Sequence, residues 1–164
     1  MTNSSSTLPR PLEGLRVIDL TRALAGPYAT LMLAGLGAEI IKVEDPNGGD
    51  LARENSPYVG RDGVTVMRNH ADDLSVSHLT RARGKKGVSL NLKSPEAPQV
   101  FADLVKTADI VFENFTSGTA DRLGVGYAAA KAANPRVIYC SLSGFGAGGS
   151  DGSKAMDVLV QALS

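Results

Sequence analysis

The segment Gly14-Leu-Arg-Val-Ile-Asp-Leu-Thr-Arg-Ala-Leu-Ala-Gly-Pro27 constrains the fold more than any other part of the chain. Residues 15–20 form a short, mainly apolar run with β-branched Val17 and Ile18, the pattern of a strand covered on both faces. Residues 21–25 leave room only for a turn. Gly26-Pro27 then opens a helix, because a proline near the first helical position gives up an N–H that would be unpaired there anyway. A buried strand, a tight turn and a helix start make the first half of a βαβ unit. In such units ligands bind beyond the carboxyl ends of the strands, where helix N-termini offer free N–H groups to anions. The turn at 21–27 is therefore the first candidate binding site, with a plain connection as the alternative.

The rest of the chain continues in the same grammar. Residues 27–36 predict a helix apolar on most sides (Ala29, Leu31, Met32, Leu33, Ala34), ended by Gly35 and Gly37. Residues 38–43 predict a second strand, followed by dense turn chemistry in Glu44-Asp-Pro-Asn-Gly-Gly-Asp50. Periodicity is lost over 51–80, which reads as a functional loop, a surface excursion or a short helix that the pattern does not place. A strand is expected over 87–92. A helix follows from Ser94-Pro95-Glu96, with Ser94 as N-cap and Pro95 at the first position, to about residue 107. Its apolar face is Ala97, Val100, Phe101, Leu104, Val105 and Ala108. Strands at 109–113 and 136–141, a helical turn at 119–123 and an Ala-rich helix at 127–133 complete the alternation. Residues 143–153 are a loop with five glycines. Met156, Leu159, Val160 and Leu163 begin a last helix that carries no stop signal before Ser164, so the expectation is a chain cut short within a helix. The order of elements predicts an α/β fold with a parallel, doubly wound sheet.

A chain of 164 residues is enough for one domain with a real core. Lys plus Arg equals Asp plus Glu at 17 each, so global charge points to neither nucleic acid nor an acidic membrane surface, and any basic site must be local. One cysteine, Cys140, leaves no disulfide framework and no Cys-based zinc site, and His70 and His78 have no third ligand at motif spacing. Residues 1–10 are polar, lack a signal-peptide core and read as a disordered tail. No run approaches the length of a membrane span. The expected compartment is the cytoplasm.

Gly144-Phe-Gly-Ala-Gly-Gly149 matches G-x-G-x-x-G after a predicted strand, the mark of a dinucleotide turn. The context disagrees, because Ser150-Asp-Gly-Ser153 continues as loop where a helix should open. No Walker A motif and no G-x-S-x-G elbow is present. Arg81, Arg83, Lys85 and Lys86 precede a strand that Lys93 ends, which suits phosphate or, alternatively, a solvated charge run. Asn114-Phe115 lies at another strand's carboxyl end, with Arg122 about two turns on. Three such edges on one sheet rim would form a groove for a phosphorylated, nucleotide-like ligand.

Several stretches together resemble the family III CoA-transferases, which include formyl-CoA and carnitine-CoA transferases and α-methylacyl-CoA racemases. They are residues 11–27, Leu36-Gly-Ala-Glu-Ile-Ile-Lys-Val-Glu44, Gly48-Gly-Asp50, Leu90-Asn-Leu-Lys93, Ala108-Asp-Ile-Val-Phe-Glu-Asn-Phe115, Asn134-Pro-Arg-Val-Ile-Tyr139 and Ser143-Gly-Phe-Gly146. The match runs in order over residues 11–164, with only 51–80 free of motifs. The resemblance implies a Rossmann-like N-terminal half of a larger polypeptide whose full-length form is an interlocked homodimer. It implies acyl-CoA and a small carboxylic acid as substrates, no covalently bound cofactor, and an aspartyl mixed anhydride as intermediate. Ala23, Leu24 and Ala25 would line the CoA pocket. Leu90 and Lys93 would contact its nucleotide end, Asn114 and Phe115 would border the adenine and pantetheine path, and Arg122 and Lys154 would meet phosphates. The nucleophilic aspartate is expected beyond Ser164, and Asp157 matches a different family position. The racemase branch carries a catalytic histidine where this chain has Met156, which argues against a racemase. The rival readings are a non-catalytic CoA- or nucleotide-binding module and an NAD(P)-binding protein.

Overall fold

A computed structural model describes residues 9–146 and 161–162. The opening segment folds as expected: β1 is Arg16–Asp19 and α1 is Ala25–Gly35. Pro27 is the third helical residue rather than the first, a position whose N–H is still one of the four left unpaired at a helix start. β2 (Glu39–Glu44) runs parallel to β1 in the register Val17 to Ile40 and Asp19 to Lys42.

β6 (Lys85–Ser89) pairs with the other edge of β2, and β7 (Ile110–Glu113) and β8 (Ile138–Ser141) extend the sheet beyond β1. All four pairings are parallel and the strand order is β6-β2-β1-β7-β8. This is the order of the first five strands of a doubly wound dinucleotide fold, and the direction of winding reverses between β1 and β7.

Alternation along the strands assigns the two faces. Ile18, Leu20, Val43 and Val111 bury against α3 (Ala97–Val105) and α5 (Tyr127–Ala133), with Phe101, Val105 and Ala130 supplied by those helices. Val17 and Ile40 face the other way, with Leu33 and Ala34 of α1 packed beside them. Covering both faces explains why β1 and β2 carry nearly continuous apolar runs.

Four expectations need correction. α3 begins at Ala97, with Glu96 as its N-cap and Pro98 in the first turn. The Ser94 hydroxyl bonds the Glu96 carboxylate instead of a helix N–H, and the Ala97 N–H donates to the Ser94 carbonyl at 3.0 Å, so residues 94–97 are a separate turn. Val100 lies outside the buried stripe of Ala97, Phe101 and Val105 and is exposed. β6 starts two residues earlier than expected and stops at Ser89, because its partner β2 ends at Glu44 and no further ladder is available.

Residues 51–80 are the fourth. A 3-10 turn over Leu51–Glu54 leads into an antiparallel three-stranded sheet of β3 (Tyr58–Gly60), β4 (Gly63–Thr65) and β5 (Leu74–Ser75), followed by α2 (Val76–Ala82). Strands of two or three residues are too short to show a period. Of the final helix expected from residue 156, only residues 161–162 are described, and they are helical. No helix among the described residues is long and apolar enough to cross a membrane.

Candidate functional site

The carboxyl ends of the five strands form one rim, and its centre is the turn between β1 and α1. Asp19, the last residue of β1, is fully buried. The register puts Asp19 and Lys42 on the same face of the sheet as Lys85 and Ile40, the face that α1 covers. One Asp19 oxygen accepts from the Thr21 N–H at 2.9 Å and the Thr21 hydroxyl at 2.5 Å. The other accepts from the Thr30 hydroxyl of α1 at 2.6 Å and lies 3.0 Å from the Lys85 ammonium. Lys85 also donates to the Thr30 hydroxyl at 2.7 Å and to the Pro27 carbonyl at 2.9 Å. Burial pushes the Lys85 pKa below its ordinary value, a pressure that the neighbouring Asp19 charge opposes.

The turn itself is tightly shaped. Ala23 has φ +66°, a left-handed conformation seldom taken by a residue with a Cβ. A Cβ on Gly26 would fall inside the Thr21 side chain, so this close approach of helix start to strand end requires glycine. Asp50, buried in the loop after β2, accepts from the N–H groups of Ala23 and Ala52 at 2.9 Å each. Lys42 lies 3.2 Å from the second Asp50 oxygen and donates to the Thr21 carbonyl.

At the switch point the two neighbouring loops are clasped together. The Arg22 N–H donates to the Asn114 side-chain oxygen at 2.7 Å, and the Asn114 amide returns a bond to the Arg22 carbonyl at 2.8 Å. The Arg22 guanidinium sits 6.0 Å from the centre of the Phe115 ring, within cation–π range. The Phe115 N–H donates to the buried Glu113 carboxylate at 2.6 Å.

Farther along the rim an open groove of about 470 Å³ lies over the ends of β2 and β6, lined by Glu44, Asp45, Gly49, Arg53, Val88 and Ser89 among others. Glu44 holds Arg53 at 2.8 and 3.1 Å and accepts the Asp50 N–H at 2.9 Å. Burial works to raise the Glu44 pKa and is outweighed by the hydrogen bonds from Arg53 and the Asp50 backbone, which hold it below the usual range. Half-buried His78 of α2 titrates below its ordinary value, first because of burial and then because of the Arg53 charge.

Most of the expected site residues share this rim. Leu24, at 47% exposure, and Ala25 stand open at the turn, while Ala23 is partly buried. Asn114 and Phe115 are brought against that turn through Arg22. Leu90 gives its N–H to the Glu44 carbonyl at 2.9 Å and packs its side chain toward the core. Lys93 is exposed, and its ammonium makes no ion pair among the described residues. Arg122, on the single turn α4 (Thr119–Arg122) after β7, is exposed and donates to the Thr119 hydroxyl at 2.7 Å. Lys154, Met156 and Asp157 lie outside the described residues, as do residues 147–149 of the G-x-G-x-x-G match.

The basic cluster divides. Lys85 belongs to the buried network, Lys86 pairs with Glu39, and Arg81 bonds Ser77, so these three are held by protein groups rather than presented together to a phosphate. Asp19, Lys42 and Asp50 were missed, and Arg22 was included only as part of the turn at 21–27. A charged residue inside an apolar strand is the signal that pointed to the first, since such a charge needs a buried partner.

Chemically the rim can bind: it offers an open turn at Leu24 and Ala25, the partly buried ring of Phe115 and the exposed cations Arg22, Lys93 and Arg122. Its described carboxylates, Asp19, Glu44, Asp45, Asp50 and Glu113, all accept hydrogen bonds or pair with cations. The Cys140 thiol in β8 is pushed up by burial and by Glu113, away from the reactive thiolate.

Known proteins resemble this chain in sequence and in fold. The chain is 42% identical to the acetyl-CoA:oxalate CoA-transferase of Acetobacter aceti, aligning over all of this chain and 40% of that protein. It is also 42% identical to the succinate–glutarate CoA-transferase of Agrobacterium fabrum, with the same two coverages. A crystal structure of a CAIB/BAIF family protein from Brucella suis superposes with a TM-score of 0.81 at 34% identity, covering 95% of this chain and 39% of that one. The chain thus spans about 40% of the length of the relatives it matches. The family model described as CoA-transferase family III matches residues 12–164, and the chain belongs to that family.

Proposed function

We propose that this chain is the coenzyme A-binding part of a CoA-transferase that moves CoA from an acyl-CoA to a small carboxylic acid. The observation that carries the reading is the locked turn of residues 21–25 at the switch point, clasped to Asn114-Phe115 and presenting Leu24 and Ala25. Backbone and small side chains there leave room for the pantetheine arm. Lys93 and Arg122 supply cations for phosphate, with Leu90 near the groove that would take the nucleotide end and Lys154 as a further phosphate contact. CoA enters as substrate, without a covalently bound cofactor.

In the chemistry carried by the family resemblance an aspartate carboxylate attacks the thioester carbonyl and displaces CoA thiolate, giving an acyl–aspartyl mixed anhydride. The thiolate then attacks the aspartyl carbonyl and releases the donor acid. The acceptor carboxylate attacks the resulting aspartyl–CoA thioester, so that the freed thiolate can attack the acceptor's carbonyl, form the new acyl-CoA and regenerate the aspartate. The proposed nucleophile is supplied from elsewhere in the polypeptide, after Ser164; the described rim carboxylates each accept a hydrogen bond or pair with a cation. The proposed setting is a cytoplasmic enzyme whose longer form is an interlocked homodimer. Residues 1–10 would be its tail and residues 11–164 part of its large domain. The same engaged carboxylates favour, as a second reading, a module that binds CoA without turning it over.

Calorimetric titration of the chain with CoA and with NAD tests the reading. CoA binding without NAD binding, and no thioester exchange by the chain alone, is the expected result. NAD binding, or no affinity for CoA, would sink it. Measurable exchange by the purified chain would refute the assignment of the nucleophile to residues beyond Ser164.

A further inference from the structure

We infer that Asp50 is a positioning residue: it sets the shape of the turn that faces CoA without touching the coenzyme. This rests on the reading of residues 21–25 as the CoA turn. Asp50 follows two glycines at positive φ, Gly48 (+121°) and Gly49 (+71°), which swing the chain back from β2 toward β1. Its carboxylate is 3% exposed. One oxygen takes the Ala23 and Ala52 N–H groups at 2.9 Å each, and the other faces Lys42 at 3.2 Å. Lys42 in turn holds the Thr21 carbonyl. A single ion pair therefore grips the turn at Thr21 and Ala23, on either side of Arg22.

At the second of those grips the chain takes the left-handed conformation of Ala23, which an alanine does not hold unaided. The Asp50 N–H is itself tied to Glu44, which holds Arg53 on the wall of the neighbouring groove. The turn and the groove wall thus share one support. A carboxylate engaged on both oxygens inside the protein orients the backbone; it is not available to the ligand.

The experiment compares Asp50→Asn and Asp50→Ala with the unsubstituted chain. CoA affinity is read by calorimetry, Ala23 amide exchange by NMR, and folding by far-UV circular dichroism. The expected result is that D50A, while folded, exchanges its Ala23 amide faster and binds CoA about tenfold or more weakly. D50N keeps an acceptor oxygen for Ala23 and Ala52, so it restores most of the affinity despite a lower Tm. A folded D50A with unchanged CoA affinity overturns the inference, as does an affinity loss in D50N equal to that in D50A. If D50A does not fold, D50N decides alone: a protected Ala23 amide with near-native affinity supports the role, and a tenfold loss with that amide still protected refutes it. Failure of the unsubstituted chain to bind CoA removes the CoA reading instead, and Ala23 exchange then decides whether Asp50 holds the turn.

Discussion

Removing Asp19 will destabilise the protein more than removing Lys85, although the two form one ion pair. Both side chains are almost completely buried, at 0% and 3% exposure. Replacing Lys85 with Met keeps most of the stem's volume and leaves Asp19 well served. The carboxylate retains the Thr21 N–H at 2.9 Å, the Thr21 and Thr30 hydroxyls at 2.5 and 2.6 Å, and the Lys42 ammonium at 3.8 Å. The loss is one charge-assisted contact, about 1.5–3 kcal/mol. Asp19→Ala leaves the Lys85 ammonium buried with only the Thr30 hydroxyl and the Pro27 carbonyl, and takes the acceptor from three donors at once. Breaking a buried pair in this way costs about 3–5 kcal/mol. At about 2–4 °C per kcal/mol for a chain of this size, the two variants should separate clearly in thermal and urea unfolding at neutral pH. The double variant should lose less than the sum, because the stranded charge is gone. The pH dependence gives a second reading. The folded-state pKa of Lys85 is below its ordinary value near 10.5, so the unfolded chain binds more protons in that window and stability rises with pH. That gain is complete above 10.5 and is lost as pH falls through the folded-state value, and K85M should lack it. Equal losses in D19A and K85M, or strict additivity in the double variant, would refute the reasoning.

Gly26→Ala drives a Cβ into Thr21, whose side chain is fully buried and bonded to Asp19, so a loss of about 1–3 kcal/mol in thermal unfolding is expected. Gly35→Ala, at the exposed end of α1 with open space around it, should gain about 0.5–1 kcal/mol and serves as the control. Ala23→Gly relieves a left-handed conformation costing about 1–2 kcal/mol and adds about 0.4–1 kcal/mol of unfolded-state freedom. The expected outcome in urea unfolding is therefore a neutral change or a modest gain, and a loss would contradict the strain. The pKa of His78 is depressed by burial and Arg53, so its contribution is fully present above its ordinary value near 6.5 and is lost as pH falls through the folded-state value. His78→Gln should flatten that part of the stability–pH curve.

How much of this was legible depended on how local each cause is. β1, β2, β7 and α5 emerge within about two residues of their expected places, because apolar runs and Gly or Pro punctuation act over a few neighbours. The Ser94 cap did not emerge, because its hydroxyl found Glu96 instead of a helix N–H. The small antiparallel sheet was hidden by strands shorter than one readable period, although Gly60-Arg-Asp-Gly63 is a hairpin turn in plain view. Ala23, Leu24 and Ala25 lie where the sequence places the turn after β1, and Asn114 and Phe115 directly follow β7, as expected. Lys85 was misread because a lysine in a basic cluster carries no local mark of the buried carboxylate it meets.

In residues 14–27 the sequence by itself determined a strand covered on both faces, a turn too short for anything else and a helix with Gly26-Pro27 in its first turn. Each follows from the conformational limits of neighbouring residues. Only the tertiary structure decided what that turn touches. The order β6-β2-β1-β7-β8 sets Arg22 against Asn114, 92 residues away, and lets Lys85 reach Asp19 across 66. Ala23 is gripped by Asp50, 27 residues on. Periodicity states that a strand is buried, not which strand lies beside it. A buried charge states that a partner exists, not where along the chain it is found.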